Sequence, residues 1–243
     1  MTPLGRADFE GRLRAVGSAR YHDHHPFHRR MHDGLLSPDE LRTWVSNRYY
    51  YQTRLPIKDA LILAKTEDRE FRRKWTERIR EQDGSSDDDV VRRAGSNGGL
   101  ELWLRLAEGV GLERERVENL SAVLPGVRSA CDRYVSFVRD ATLLEAVASS
   151  LTECFAPDLM ARRAASFATH YPWISSGATA YFGARVTRAR KDSEHGLSFV
   201  LDNATTASLQ KLSVRALIAK CEILWSMLDA IDGVDISPER TAS

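Results

Sequence analysis

Thirteen consecutive residues, Arg48-Tyr49-Tyr50-Tyr51-Gln52-Thr53-Arg54-Leu55-Pro56-Ile57-Lys58-Asp59-Ala60, interleave aromatic rings with cations. On a helix, Arg48 and Gln52 stand four residues apart and share a face, with Tyr51 beside them. Arg78 and Gln82 repeat that spacing, as do Tyr181 and Arg185. Guanidinium groups grip carboxylates through paired hydrogen bonds, and rings stack on a planar core. A flat, polyanionic ligand is the chemistry such a set suits. Any single Arg–Tyr pair also fits a solvated helix face.

Histidines form a second constellation. Five of the seven lie within the N-terminal stretch His22, His24, His25, His28 and His32. His28 and His32 share a helical face, a spacing that can serve a metal. Pro26 disrupts that geometry and no carboxylate pair at ligand spacing accompanies it, so a polar helix terminus with one or two histidines facing a pocket is expected, and no metal. Asp192-Ser193-Glu194-His195, with Glu153 upstream, resembles part of a di-iron set. Such centres draw several carboxylates from facing helices, whereas the other inward polar candidates here are Arg, Tyr and Gln. An internal hydrogen-bond network is expected instead. Dinucleotide-binding GxGxxG, phosphate-binding GxxxxGK[ST], HExxH and GxSxG motifs are all absent from the sequence.

The elements that must position these residues read as helices. Phe9, Leu13 and Val16 mark a first amphipathic run. Ser37-Pro38-Asp39-Glu40 is a capping box with proline at the first helical position, and it opens a long helix expected to kink or restart near Leu55 because of Pro56. Further helices are expected over 69–82, 100–111, 127–139, 142–156 (stopped by Pro157), 178–201 and 206–231. Residues 84–99, with Asp87-Asp88-Asp89 and Gly95-Ser96-Asn97-Gly98-Gly99, read as a mobile loop or lid, and the tail after Gly233 as frayed. No strand alternation and no internal repeat is present. The fold class is all-α, a single helical-bundle domain spanning 1–243.

Composition narrows the function classes. The 243 residues are 42% hydrophobic and 28% charged, within the range of globular proteins. Thirty-five Lys+Arg against 34 Asp+Glu leave a formal charge of +1, which argues against a general nucleic-acid binder. No stretch approaches the ~20 apolar residues that span a bilayer. Cys131, Cys154 and Cys221 are widely spaced and odd in number, and no secretory h-region precedes them. They read as reduced thiols of a cytoplasmic protein.

Longer stretches carry a family resemblance. Tyr21-His22 with His25-Pro26, Asn47-Arg48-Tyr49-Tyr50-Tyr51-Gln52, Arg72-Arg73-Lys74-Trp75 and Leu124-Pro125-Gly126-Val127-Arg128 belong to it. So do Ser149-Ser150-Leu151-Thr152-Glu153, His170-Tyr171-Pro172-Trp173-Ile174, Glu194-His195-Gly196-Leu197 and Ile223-Leu224-Trp225-Ser226-Met227-Leu228-Asp229-Ala230. From about Tyr21 to Ala230 the chain resembles the pyrroloquinoline quinone (PQQ) synthases. The resemblance implies a haem-oxygenase/thiaminase-like helical bundle working as a homodimer. It implies ring closure and eight-electron oxidation of a tricyclic quinone precursor, with O2 as co-substrate, H2O2 as a product, and neither metal nor redox cofactor.

The same resemblance places Tyr21, His22, Arg48, Tyr51, Gln52, Lys58, Arg78, Thr152, Glu153, Arg163 and Leu224 at the substrate. Tyr134, Tyr181, Arg185 and Lys220 would surround the oxygen-reactive region, with Tyr181 a proton donor or relay and the two cations stabilising superoxide or peroxide. The chain departs from the family at Glu81-Gln82-Asp83-Gly84, where a catalytic histidine is expected and Gln82 stands. Glutamine exchanges hydrogen bonds but does not titrate near neutral pH. Met160 replaces a second histidine, and the 84–99 loop is longer than the family's. These departures leave room for a divergent oxidase of another planar carboxylated substrate, or for a non-catalytic binder of the quinone or its precursor.

Overall fold

The computed structural model describes residues 2–85 and 98–234, with the side chains of 187–192 left aside. Eleven α-helices occur among the described residues: α1 Arg6–Arg20, α2 Pro26–His32, α3 Pro38–Leu63, α4 Arg69–Asp83, α5 Gly99–Gly109, α6 Arg114–Glu118, α7 Pro125–Asp140, α8 Leu143–Ser149, α9 Ala156–His170, α10 Ala180–Asn203 and α11 Ala207–Asp232. Two 3-10 turns, His22–His24 and Ser150–Phe155, join them, and no strand occurs among the described residues. The expected lid and frayed tail fall largely on 86–97 and 235–243, outside the described residues. No described helix is long and apolar enough to cross a membrane.

Local chemistry sets the helix starts. The Ser37 hydroxyl accepts from Glu40 N, and the Glu40 carboxylate accepts from Ser37 N, closing the expected capping box of α3. Thr142 and Glu145 do the same for α8.

Two prolines bear on the sequence expectation: at Pro56 the helix does not restart, and at Pro157 a helix begins. Helix α3 runs through Pro56 without interruption, because its flanks are held by α4, α5 and α7 packed along it. Pro157 starts a helix where it was expected to stop one. Helix α8 ends at Ser149, residues Ser150–Phe155 tighten into a 3-10 turn, and α9 begins with Pro157 in its first turn. A missing N–H costs nothing there, since first-turn N–H groups have no partner within the helix.

Helices α3 and α11 are the longest and form the spine. Helix α3 packs on α7, α4 and α5, and α11 packs on α7, α8 and α1. Helix α10 lies against α9 and α8. One hydrophobic cluster runs from Phe9 on α1 to Ile231 on α11, with Trp44, Trp75 and Trp103 fully buried. Trp44 meets Trp103 edge-on at 5.3 Å, and Trp103 meets Tyr181 edge-on at 4.8 Å. Tyr181 is thereby fixed from its apolar side.

Candidate active site

Helices α3, α9, α10 and α11 and the two 3-10 turns converge on a cleft of ≈ 460 Å³. Tyr21, His22, Arg48, Tyr51, Gln52, Thr152, Glu153, Tyr181, Arg185 and Leu224 line it, all of them expected from the sequence. Leu55, Ala156 and Met160 line it as well. The other expected residues (Lys58, Arg78, Arg163, Tyr134, Lys220 and Gln82) do not line the cleft but stand immediately behind it. Each touches a lining residue or its neighbour.

Behind one wall the charges are paired. Lys58 Nζ lies 2.7 Å from Asp59 Oδ1 and donates to Ser150 Oγ at 3.1 Å. The same Asp59 oxygen accepts from Trp75 Nε1 at 2.8 Å and from Arg78 Nε at 3.4 Å, and Arg78 in turn ion-pairs with Glu153. Burial alone would raise the Glu153 pKa, but Arg78 and Lys58 outweigh it and hold the carboxyl down at about 2. Burial also weighs against charge on Lys58, yet Asp59 leaves its pKa above the ordinary 10.5. Asp59 is the functional residue the sequence reading passed over. Its signal was its place beside Lys58, one turn before the end of α3.

A second group of basic residues makes no ion pair with a carboxylate among the described residues. Arg48 stacks its guanidinium 4.1 Å over the Tyr51 ring and meets the Met227 sulfur at 3.7 Å. Arg163, 1% exposed, sits 4.9 Å over Trp44 and donates to His28 Nε2 at 3.1 Å. Lys220 lies 3.2 Å over the Tyr134 ring and 4.4 Å over Tyr51. The Nε atoms of Arg48 and Arg163, the Nζ of Lys220 and a ring nitrogen of His22 are buried without a hydrogen-bond partner. Burial, reinforced by Lys58, holds the Lys220 pKa well below 10.5. Burial and the charges of Arg48 and Arg163 hold His22 well below 6.5.

The histidine cluster resolves into structural roles. His28 engages the His22 carbonyl through Nδ1 at 2.9 Å and receives Arg163 at Nε2, so it is the Nδ1–H tautomer. His25 accepts from Phe27 N and meets Asp229 at 3.0 Å. Among the described residues no three His, Cys, Asp or Glu side chains converge as metal ligands would. His195 packs against Phe71 and Trp75, at 5.4 and 5.8 Å between ring centres. Burial, with Lys74 and Arg78, lowers its pKa. It packs in an aromatic cluster and Glu153 lies apart from it in the cleft, while the Asp192 side chain of the expected hydrogen-bond network lies outside the described residues.

A third arrangement joins α3, α4 and α10. Tyr181 Oη donates to Gln52 Oε1 at 3.2 Å, and Gln82 Nε2 donates to the same oxygen at 3.1 Å and to the Gln52 backbone carbonyl at 3.3 Å. Gln82 thus occupies a buried position behind Gln52.

A helical bundle with a cation-walled cleft defines a class, and comparison with known proteins gives it a family. The chain belongs to the TENA/THI-4/PQQC family, whose pattern matches residues 10–230. It is 48% identical to the pyrroloquinoline-quinone synthase of Rhizobium rhizogenes over 96% of this chain and 91% of that one. It is 44% identical to the enzyme of that name from Gluconobacter oxydans, covering 96% and 94%. A bifunctional coenzyme PQQ synthesis protein C/D of Methylorubrum extorquens is 43% identical over 97% of this chain and 61% of its own length. In solved structures the same fold recurs in a TenA homologue of Pseudomonas syringae (TM-score 0.73, 13% identity, covering 96% and 94%). It recurs also in a haem-oxygenase-like domain of Shewanella denitrificans (TM-score 0.73, 13% identity, covering 94% and 92%).

Proposed function

We propose that this protein is a pyrroloquinoline-quinone synthase whose cleft binds the tricyclic quinone precursor and carries it through ring closure and eight-electron oxidation. An enzyme role in PQQ biosynthesis is supported by membership of the family and by identity of 44–48% to several synthases over nearly the whole chain. One observation carries the substrate class: the Nε atoms of Arg48 and Arg163, Lys220 Nζ and His22 Nδ1 are buried without a hydrogen-bond partner in the protein. Leaving a donor buried and unpaired costs about 1–3 kcal/mol each. A ligand that brings carboxylates and quinone oxygens into the cleft reaches the two of these that line it, Arg48 and His22.

Each residue then has a task. Arg48 and Arg163 take carboxylates, while Tyr21, Tyr51 and Leu224 pack on the planar ring system. Glu153, kept ionised by Arg78, is a proton acceptor beside the ring being closed, and Thr152 hydrogen-bonds next to it. Tyr181, Arg185, Lys220 and Tyr134 surround the region where dioxygen accepts electrons, and positive charge there favours superoxide and peroxide. The substrate's own quinone stores the electrons, so the reading includes no metal or redox cofactor. Each O2 that leaves as H2O2 takes two electrons and two protons, which the Tyr181 side of the cleft must deliver. With this reading come a homodimer and a cytoplasmic location.

The test is to mix purified protein and precursor anaerobically in equal amounts, admit oxygen, and follow the ultraviolet-visible spectrum with assays for PQQ and peroxide. Conversion to PQQ with peroxide release is expected. A bound but stalled spectrum would mean a binder, a reading that Gln82 favours because the Tyr181–Gln52–Gln82 chain ends on an amide that cannot supply a proton. No spectral change would mean another substrate. Arg185→Ser should leave precursor binding within about threefold and slow the oxygen-dependent step about 10²–10³-fold, the scale for removing one charge-stabilising donor. A pure loss of affinity would contradict that role.

A further inference from the structure

Proline 56 removes one helix hydrogen bond from α3. Without an N–H at position 56, the carbonyl of Gln52 four residues earlier loses its partner in the helix ladder. The structure fills that gap from another helix: Gln82 on α4 donates Nε2 to the Gln52 carbonyl at 3.3 Å. A backbone carbonyl only accepts, so the Gln82 atom facing it is the amide nitrogen. Its second proton points at the Gln52 side chain, 3.1 Å away, so the atom meeting it there is oxygen. Tyr181 Oη reaches the same oxygen at 3.2 Å. The amide of Gln52, a cleft-lining residue 1% exposed, is thereby fixed at its oxygen end by two donors.

We infer that Gln82 is a positioning residue for substrate specificity, holding the Gln52 amide with its NH2 turned into the cleft, where it demands an acceptor from the ligand. Gln82 itself touches no ligand. It acts through Gln52, and Pro56 supplies the free carbonyl that makes the arrangement single-valued. Gly99 at the start of α5 completes it. A Cβ there would come within 2.6 Å of Gln82 Oε1 and push the amide aside, so glycine lets the first turn of α5 close over the amide as it stands. The result is a fixed donor added to the cation wall, matched to a carboxylate or quinone oxygen. The choice of ligand rests on the synthase reading, but the direction of the amide does not.

The experiment therefore has a ligand-free arm and a ligand arm. In the free protein, side-chain amide exchange followed by ¹⁵N NMR should show the Gln82 NH2 protons persisting in D2O and those of Gln52 exchanging. The reverse pattern would overturn the assignment. For the second arm the probe is PQQ itself, titrated against wild type, Gln82→Glu and Gln82→Leu. Ionised glutamate presents only oxygens to the Gln52 carbonyl and turns the Gln52 amide with its NH2 backward and its oxygen into the cleft, so the titration is run well above the pH at which a buried carboxyl holds its proton. Leucine only removes the restraint. Gln82→Glu should bind PQQ about 10–100-fold more weakly than wild type, the scale of hydrogen bonds to charged groups. Gln82→Leu should fall between the two, and equal or reversed order would mean that Gln82 only fills space. If wild type neither binds PQQ nor converts the precursor, the synthase reading fails, and the exchange pattern still decides the role of Gln82.

Discussion

Two groups of residues at the cleft both carry Lys and Arg and differ in whether carboxylates accompany them. On one side Lys58, Asp59, Arg78 and Glu153 neutralise one another, and Trp75 and Ser150 take part. On the other, Arg48, Arg163 and Lys220 lie over aromatic rings with donors left unmet. Paired charges inside a protein contribute geometry, because each has already spent its electrostatics on its neighbour. Unpaired charges over rings are held by a weaker, less directional attraction and keep their hydrogen bonds for a ligand. Charge count alone would call both walls binding surfaces. Partner bookkeeping separates a scaffold from a receptor.

That contrast breaks most visibly at Asp59. Its one carboxylate oxygen serves Lys58, Trp75 and Arg78. Asp59→Asn keeps the shape, strands the buried Lys58 and leaves Arg78 to Glu153 alone, so it should cost about 3–5 kcal/mol, the scale of breaking a buried pair from one side. Urea denaturation measures it, and a loss below about 1 kcal/mol would place Asp59 outside the scaffold. Arg48→Met tests the receptor wall from the other direction. Removing a buried charge that has no carboxylate partner should leave the urea midpoint unchanged or raised. PQQ binding should weaken about 10–100-fold, as expected for losing charge-assisted bonds to a carboxylate. A destabilised Arg48→Met protein with unaltered binding would merge the two walls into one.

How much of this could be read from the chain follows the same division. The helical class, the capping box at Ser37 and the i,i+4 pairs Arg48–Gln52 and Tyr181–Arg185 are local properties, and sequence spacing fixes them. The behaviour of Pro56 and Pro157 is not local. A proline inside a helix is tolerated when neighbouring helices hold its flanks, and a proline after an apolar run can begin the next helix instead of ending the last. Helix α9, which carries Met160 and Arg163, was hidden for that reason. Which cations are paired was equally invisible, since Asp59 reaches Arg78 and Trp75 only once α4 folds onto α3. Of the residues drawn from the family resemblance, ten line the cleft and six stand behind it, a distinction that the resemblance does not carry. Gln82 illustrates this: its partner carbonyl is created by a proline 26 positions earlier in the chain.

The smallest effect is spread over both walls and sharpens the comparison by pH. His22, His28 and His32 stand on the receptor side, and all three have folded-state pKa values below the ordinary 6.5, His32 at about 4. Burial is the first cause in each case, with Arg163 adding to it; Arg48 adds to it for His22 and His28. A histidine whose folded pKa is depressed binds a proton in the unfolded chain before it does so in the native one. Stability is therefore complete above about pH 6.5 and falls as pH drops through the window between that value and the folded pKa. Each group contributes at most about 1.4 kcal/mol per pH unit within its window. Glu153 on the scaffold side, held at about 2, adds its loss only below its ordinary 4.5. Urea midpoints should accordingly decline between pH 6.5 and 5, before any carboxylate titrates. Replacing His28 with Gln, which removes one of the three titrating groups, should flatten that decline by up to one proton's worth. An equal slope in the variant would show that His28 contributes none of it and that the acid sensitivity arises at His22, His32 or, beside Trp75, His195.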